Sequence, residues 1–246
     1  MTKVQNNKKE SRNKKTKFEV TPKFERGIDY FNIAVLLFAI GSIVGVYWEQ
    51  IYVPISVYLE TGNIIHVSRT GLIYGPFSPI YGAGALIFFA LIFIFRNKKA
   101  WQYFLIGSII SGFFEYMMSL GQEVLFGTRS WNYSNEPLNI NGRTTVIYAA
   151  VWGIFFLIAI YGIFPLVYKL YRKIPSKIRN IAIICLAIFL VFDITVSIVA
   201  SRRQYERRQN IEASNFIERF CDKHYTDEYL KRIYENARPV TDMSSN

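Results

Sequence analysis

Four carboxylates stand where carboxylates are costly. Glu49, Glu115, Glu123 and Asp193 each lie within or at the end of a long apolar run. Taking an ionised carboxylate out of water carries a penalty of roughly several kcal/mol, so such a residue is paired, protonated, or engaged with a substrate, ion or proton. Glu115 has the most telling context. At about 100° per residue, Ser108, Ser111, Gly112, Glu115, Ser119 and Gln122 share one stripe of an otherwise apolar helix. A stripe of small and polar side chains faces protein or water rather than lipid. At 1.5 Å per residue, Glu115 lies about 21 Å along its run from Trp101, and Asp193 about 21 Å from Arg179, which gives the two acids a similar depth. Glu49 follows a stripe of Gly41, Ser42 and Gly45, and Glu123 closes the run that holds Glu115. Paired acids can share a proton, which raises one pKa. The same four residues also fit a plainer role, as structural ion pairs or protonated acids hydrogen-bonded between helices.

The counter-charges sit in two connecting segments. The first carries His66, Arg69 and Tyr74 among Gly71, Gly75, Pro76 and Pro79, a composition for a shaped backbone rather than a mobile linker. The second carries Arg129, Trp131, Tyr133, Asn139 and Arg143. Arginines set among aromatics can hold a phosphate or carboxylate bidentately, or they can snorkel within an interfacial aromatic belt. His66 is the acid–base candidate. With 2 His and 2 Cys in the chain, a histidine-rich metal site is excluded, and Cys185 and Cys221 have no zinc or redox spacing. No metal and no cofactor is expected.

The elements that must position these residues are membrane helices. Hydrophobic residues make up 51% of the 246 and collect into runs of about 18 or more, long enough to cross roughly 30 Å of hydrocarbon. A spanning β-barrel would alternate in segments of roughly ten residues, and these runs do not. The sequence therefore predicts an all-α, polytopic transmembrane bundle with five spans at about 30–52, 80–95, 101–126, 145–168 and 178–200. Residues 1–28 form a basic segment expected to be disordered and cytoplasmic, 29–201 the transmembrane domain, and 202–246 a polar, helical C-terminal tail. The first run is too long for a secretory signal, and no cleavage site follows it. The net charge of +11 fits attraction to a lipid surface rather than to nucleic acid.

Basic residues also orient the chain. Arg96, Lys98 and Lys99 follow the second span, and Lys169, Arg172, Lys173 and Lys177 surround the joint of the fourth and fifth. The positive-inside rule puts these joints and the N-terminus in the cytoplasm and the two longer loops outside. Five spans then place the tail outside, although it opens with Arg202, Arg203, Arg207 and Arg208. Either a re-entrant piece around 71–85 replaces a span, or contacts of the tail outweigh the charge bias; five spans is the reading adopted. Within the tail, Thr226 can cap a short helix whose first turn holds Asp227 and Glu228, with Tyr229, Leu230, Ile233 and Tyr234 on one apolar face.

Residues 75–85, reading GPFSPIYGAGA, resemble a signature of the bacterial membrane family called putative ABC-transporter type IV. So do WNYS at 131–134, PLNINGR at 137–143, and Trp152 with Gly153. The resemblance covers about residues 30–240, with Ser78 where the family more often has cysteine and Asn132 where it more often has aspartate. It implies a permease-like protein of the bacterial plasma membrane, working with the lipid bilayer and, for ATP-driven transport, with a separate ATPase subunit. The chain itself has no G-x-x-x-x-G-K-[ST] phosphate loop. Two further readings stay open: a membrane-embedded enzyme acting on a lipid or lipid-linked substrate at the outer leaflet, and a membrane scaffold. The oligomeric state is open.

Overall fold

The computed structural model describes residues 27–66 and 68–243. The disordered segment expected over 1–28 lies outside them, apart from its last two residues, which already belong to a helix. Five apolar segments follow in order: α1 (Gly27–Thr61), α2 (Pro79–Ile94), α3 (Ala100–Phe126), α4 (Val146–Ile158) running through a π turn at Ala159–Ile163 into α5 (Phe164–Lys173), and α6 (Ser176–Arg208). Among the described residues, α1, α3, the continuous α4–α5 segment and α6 are long and apolar enough to cross a membrane, and α2 is a shorter apolar helix. The wide turn precedes Pro165, which has no N–H and would crowd the carbonyl of Tyr161 in a regular helix. The main departure from the expected spans is α1, which runs on to Thr61 through Pro54 and exposes Ile55 and Leu59.

Helix pairing follows the small residues. α1 packs chiefly on α2, and α3 on α4. A Cβ at Gly45 would overlap the Tyr81 ring, and one at Gly41 would press on Ala85 and the Tyr81 carbonyl. Gly107 and Gly153 give the same close approach between α3 and α4, against Phe156 and Ser108 respectively. One half of the bundle is filled by apolar side chains, including Phe88, Phe89, Tyr103, Phe156, Ile160 and Phe164. At its end, Tyr171 donates to Asp29 Oδ1 (2.5 Å), Arg179 pairs with the same oxygen (3.3 Å), and Asn32 bridges Tyr171 and Asn180. That cluster ties the start of α1 to the α5–α6 joint.

α2 is only about 24 Å long, short of the roughly 30 Å hydrocarbon layer. Residues 71–78 make up the difference as non-helical backbone, with Leu72, Ile73, Phe77 and Ser78 buried. Such backbone is tolerated at membrane depth only where protein satisfies its polar groups. Here Gly71 and Leu72 N–H donate to the Phe77 carbonyl, and Ser78 N–H donates to the Ser42 carbonyl of α1. α6 supplies the other acceptors: Ile73 N–H donates to Ser197 Oγ (2.9 Å) and Tyr74 N–H to Asp193 Oδ1 (3.0 Å).

The tail folds back over this end of the bundle. It comprises α7 (Phe216–His224), α8 (Asp227–Ile233), a short strand at Arg238–Pro239 and α9 (Val240–Met243). Thr226 caps α8 by accepting from Tyr229 N–H, as its position predicts. α7 and the strand were not foreseen. Arg238–Pro239 pairs antiparallel with Thr128–Arg129, just beyond α3. Tyr225 and Tyr74 join hydroxyls (2.8 Å), and Ser68 N–H donates to Glu235 (2.5 Å). The tail and both long loops thus share one end of the molecule, opposite the Asp29 cluster.

The four arginines that conflict with the charge rule are all engaged. Arg203 pairs with Asp222 (2.9 Å), and Arg207 with Asp222 (2.8 Å) and Asp227 (2.5 Å). Arg202 and Arg208 donate to the Leu125 and Phe126 carbonyls at the open end of α3. The hydrogen bond from Arg203 holds the Asp222 carboxyl below its ordinary 3.8, against a smaller upward push from burial, and Arg207 adds to the lowering.

Because that native pKa is depressed, the contribution of Asp222 is present above about pH 4 and is lost as pH falls through its lower native value. Protection against hydrogen exchange across 216–234, taken relative to the intrinsic rate at each pH, should therefore fall on acidification below pH 4, and Asp222→Asn should show reduced protection already at neutral pH. Topology has its own check, in a chain whose two cysteines are replaced by serine. Cysteines introduced at Glu136 and Glu228 should react with an impermeant maleimide from one face of the membrane, and one at Lys98 from the other.

Candidate functional site

The chemistry gathers at the loop end, on a frame that begins with a hairpin. Strand Asn139–Ile140 pairs with Thr144–Thr145, and the two turn residues, Asn141 (φ 52°) and Gly142 (φ 67°), both take the left-handed conformation. Arg143 N–H closes the turn on the Ile140 carbonyl, and with Ile140 paired to Thr144 the loop spans residues 141–143; two successive positive φ values favour Asn-Gly at these positions. Tyr133 N–H donates to the Gly142 carbonyl, and Trp131 Nε1 donates to the Arg143 carbonyl (2.8 Å), so the preceding strand of loop is stitched to the turn. Asn139 spends its side chain on the Ser134 and Glu136 carbonyls and on Gly142 N–H. The Trp131 indole N–H and the Asn139 amide are thus engaged in bracing the loop.

The hairpin delivers donors to α3. Thr144 Oγ1 donates to Glu115 Oε2 (2.7 Å) and the Tyr133 hydroxyl to Oε1 (3.2 Å); the Trp152 side chain reaches the same carboxylate. Glu115 keeps only 4% of its exposure. Burial, then the Glu115 charge, push the Tyr133 hydroxyl far above the usual tyrosine range, so it stays a neutral donor at any physiological pH. Its ring stacks on Tyr148 (4.6 Å).

Glu49 approaches from α1. The Tyr81 hydroxyl donates to its Oε1 (2.7 Å), and Arg69 Nε lies 3.7 Å from Oε2, too long for a hydrogen bond. Tyr81 packs on Trp152 (5.4 Å) and lies within electrostatic reach of both carboxylates and of Tyr133. Glu49, Tyr81, Trp152, Glu115 and Tyr133 form one polar-aromatic group, drawn from α1, α2, α3, α4 and the second loop. The Glu49 side chain keeps 26% exposure, so the group is reached from its side.

The other two acids are occupied differently. Glu123 Oε2 accepts from Arg129 (2.6 Å) and Arg143 (2.7 Å), and Arg143 also reaches Ser119 Oγ. Two guanidiniums on one carboxylate leave a net positive rim next to the acidic group. Asp193 holds the backbone of the dipping segment and accepts from Ser197; it has no bond to Glu49 or Glu115. Tyr74 stacks on Phe192 and bonds Tyr225. His66 stands in an open groove with Tyr47, Gln50, Ile51, Ser68 and Glu235, apart from the partners of Glu49. Sequence reasoning missed Tyr81, Thr144 and Trp152. Asn141-Gly142 was the signal for the hairpin, and Gly41 and Gly45 were the signal for a large ring packed opposite.

Among the described residues, four helices long and apolar enough to cross a membrane, with a fifth, shorter apolar helix beside them, make a multi-pass membrane protein. The chain belongs to the family described as putative ABC-transporter type IV, whose model matches residues 36–198. The match is narrower than the resemblance read over 30–240, and the tail lies beyond it. Neither the curated proteins nor the solved structures hold a match. Family and helices together fit a transporter-like membrane protein.

The hydrogen-bond pattern predicts how Asp193 answers substitution. Asp193→Ala removes the acceptor for Tyr74 N–H and should lower stability by about 1–3 kcal/mol, the cost of an unsatisfied buried donor. Asp193→Asn keeps an acceptor oxygen and should melt close to wild type in detergent. A role as a charged relay requires the opposite order in an activity readout.

Proposed function

We propose that this protein is the permease-like component of a transporter and that Glu49 and Glu115 together bind a cationic group. One observation supports the reading: two carboxylates from different helices share a polar-aromatic group, while Glu123 pairs with two arginines and Asp193, outside that group, holds loop backbone through Oδ1. A cation entering that group replaces lost water with two acids and with the faces of Tyr81, Tyr133 and Trp152. The positive rim of Arg129 and Arg143 disfavours entry of multiply charged cations and fits a singly charged group. In this reading the N-terminus and the short basic joints face the cytoplasm of a bacterial cell, and the loops and tail face outside. ATP-driven transport then requires an ATPase from another chain, which docks on the basic end.

A second reading is favoured by a specific feature. Below Glu115 the bundle is packed with Phe88, Phe156, Tyr103 and Phe164, so the polar group continues only toward the loop end. That one-sidedness fits a membrane enzyme in which Glu115 or Glu49 acts as acid or base on a lipid-linked substrate.

Thermal melts of the purified chain with sodium, potassium, tetramethylammonium or spermidine test the cation site. A singly charged member of the panel should raise the melting temperature, with the shift lost in Glu49→Gln and in Glu115→Gln. An equal shift in both variants, or none with any cation, removes the proposal.

A further inference from the structure

α7 divides its charges by face. Asp222 turns toward α6, where it pairs with Arg203 and Arg207, Cys221 is buried, and Glu218 bonds back to Ser214 and Asn215 at the start of the helix. The opposite face carries Phe216 (75% exposed), Ile217 (60%) and Phe220 (43%), flanked by the exposed cations Arg219 and Lys223. At about 100° per residue, those five side chains occupy one continuous arc with no acid in it. Capping fixes the helix locally: Asn215 accepts from Glu218 N–H at its start.

The position of α7 says what covers this arc. Cys221 and Tyr225 pack in one cluster with Ile73 and Ala200, bordered by Val196 and Val199. Ala200 is the last residue of the apolar stretch of α6 before Ser201, Arg202 and Arg203. α7 therefore doubles back to the level at which α6 leaves the hydrocarbon, and the dipping segment at Ile73 lies against the same cluster. An exposed apolar arc at that level, with Arg219 and Lys223 along one edge and no acid within it, matches an interfacial helix lying in the headgroup layer, with its apolar face buried by roughly 5–10 Å. The depth of α7, level with the end of the apolar stretch of α6, and the two cations with no acid beside the apolar side chains both favour a lipid surface as the occupant.

We infer that α7 is an interfacial anchor: Phe216, Ile217 and Phe220 insert into the lipid surface while Arg219 and Lys223 bind anionic headgroups. The tail is thereby held from both sides, by arginine–carboxylate pairs within and by lipid without.

The test uses the full chain in a Cys185→Ser/Cys221→Ala background, reconstituted into vesicles of mixed zwitterionic and anionic lipid. An environment-sensitive fluorophore is attached at Phe220→Cys and, as a control, at Glu228→Cys on exposed α8. Shallow doxyl-labelled lipid should quench the label at 220 several-fold more than the label at 228, and aqueous iodide should show the reverse order. Replacing the anionic lipid or adding Arg219→Glu/Lys223→Glu should weaken the lipid quenching at 220. Equal iodide access at both positions overturns the anchor. So does shielding at 220 from both quenchers that grows with protein-to-lipid ratio, because that outcome assigns the face to a second copy of the chain.

Discussion

Non-helical backbone that is buried has no water to turn to, and residues 71–78 are such backbone, with Leu72, Ile73, Phe77 and Ser78 all buried. Gly71 and Leu72 N–H donate to the Phe77 carbonyl, Phe77 N–H to the Gly75 carbonyl, Ser78 N–H to the Ser42 carbonyl, and Ile73 and Tyr74 N–H to Ser197 and Asp193, acceptors drawn from the segment itself and from helices on both sides of it. Most of the loop end depends on that arrangement. It fixes where α2 begins, hence where Tyr81 points. It draws α6 against α1 at the depth of Asp193, and it supplies Ile73 as part of the floor on which the tail rests. An acid at membrane depth is by default suspected of function. For Asp193 the backbone requirement accounts for one oxygen, Oδ1, while Oδ2 is buried without a hydrogen-bond partner among the described residues.

Glu115 poses a different problem, because nothing on α3 satisfies it. Its donors come from a hairpin and an adjoining loop outside the helices, so burying this carboxylate requires a specific backbone in the second loop. Asn141 and Gly142 make the turn, Tyr133 N–H and Trp131 Nε1 brace it, and Thr144 and Tyr133 then reach the acid. Glu49 is served by a single hydroxyl and a distant arginine. The pair is therefore asymmetric: one acid is buried and saturated with hydrogen bonds, the other is partly open. That asymmetry suits a site in which Glu49 meets an incoming group first and Glu115 fixes its final position.

The spans were legible in the sequence because a run of apolar residues long enough for the bilayer has few other uses. The α3 stripe was legible too, since Ser111, Glu115 and Ser119 are buried as the helical period requires. What joins Glu49 to Glu115 was not. Tyr81 lies in the quoted 75–85 stretch, yet its partner is set by how closely α1 and α2 approach, and that depends on Gly41 and Gly45 in a different helix. Asp193 looked equivalent to Glu115 because depth along a helix is one-dimensional; rotation and neighbours separate them. Short β pairings such as Arg238–Pro239 with Thr128–Arg129 join segments far apart in sequence and carry almost no local signal.

The positive-inside rule counts arginines as free charges, and those that open the tail are not free. Arg203 and Arg207 are matched by Asp222 and Asp227, and Arg202 and Arg208 close the carbonyl end of α3. Charge that is neutralised or capped within a folded end exerts little pull on orientation, so a fifth crossing and an arginine-rich exit are compatible. The same contacts connect the tail to the candidate site. The strand that Arg238–Pro239 pairs with contains Arg129, whose side chain lies on Glu123, and Glu123 also holds Arg143 of the hairpin that saturates Glu115. Tail, rim and buried acid are thus linked through consecutive direct contacts, and a change in how the tail docks must be felt first at Arg129.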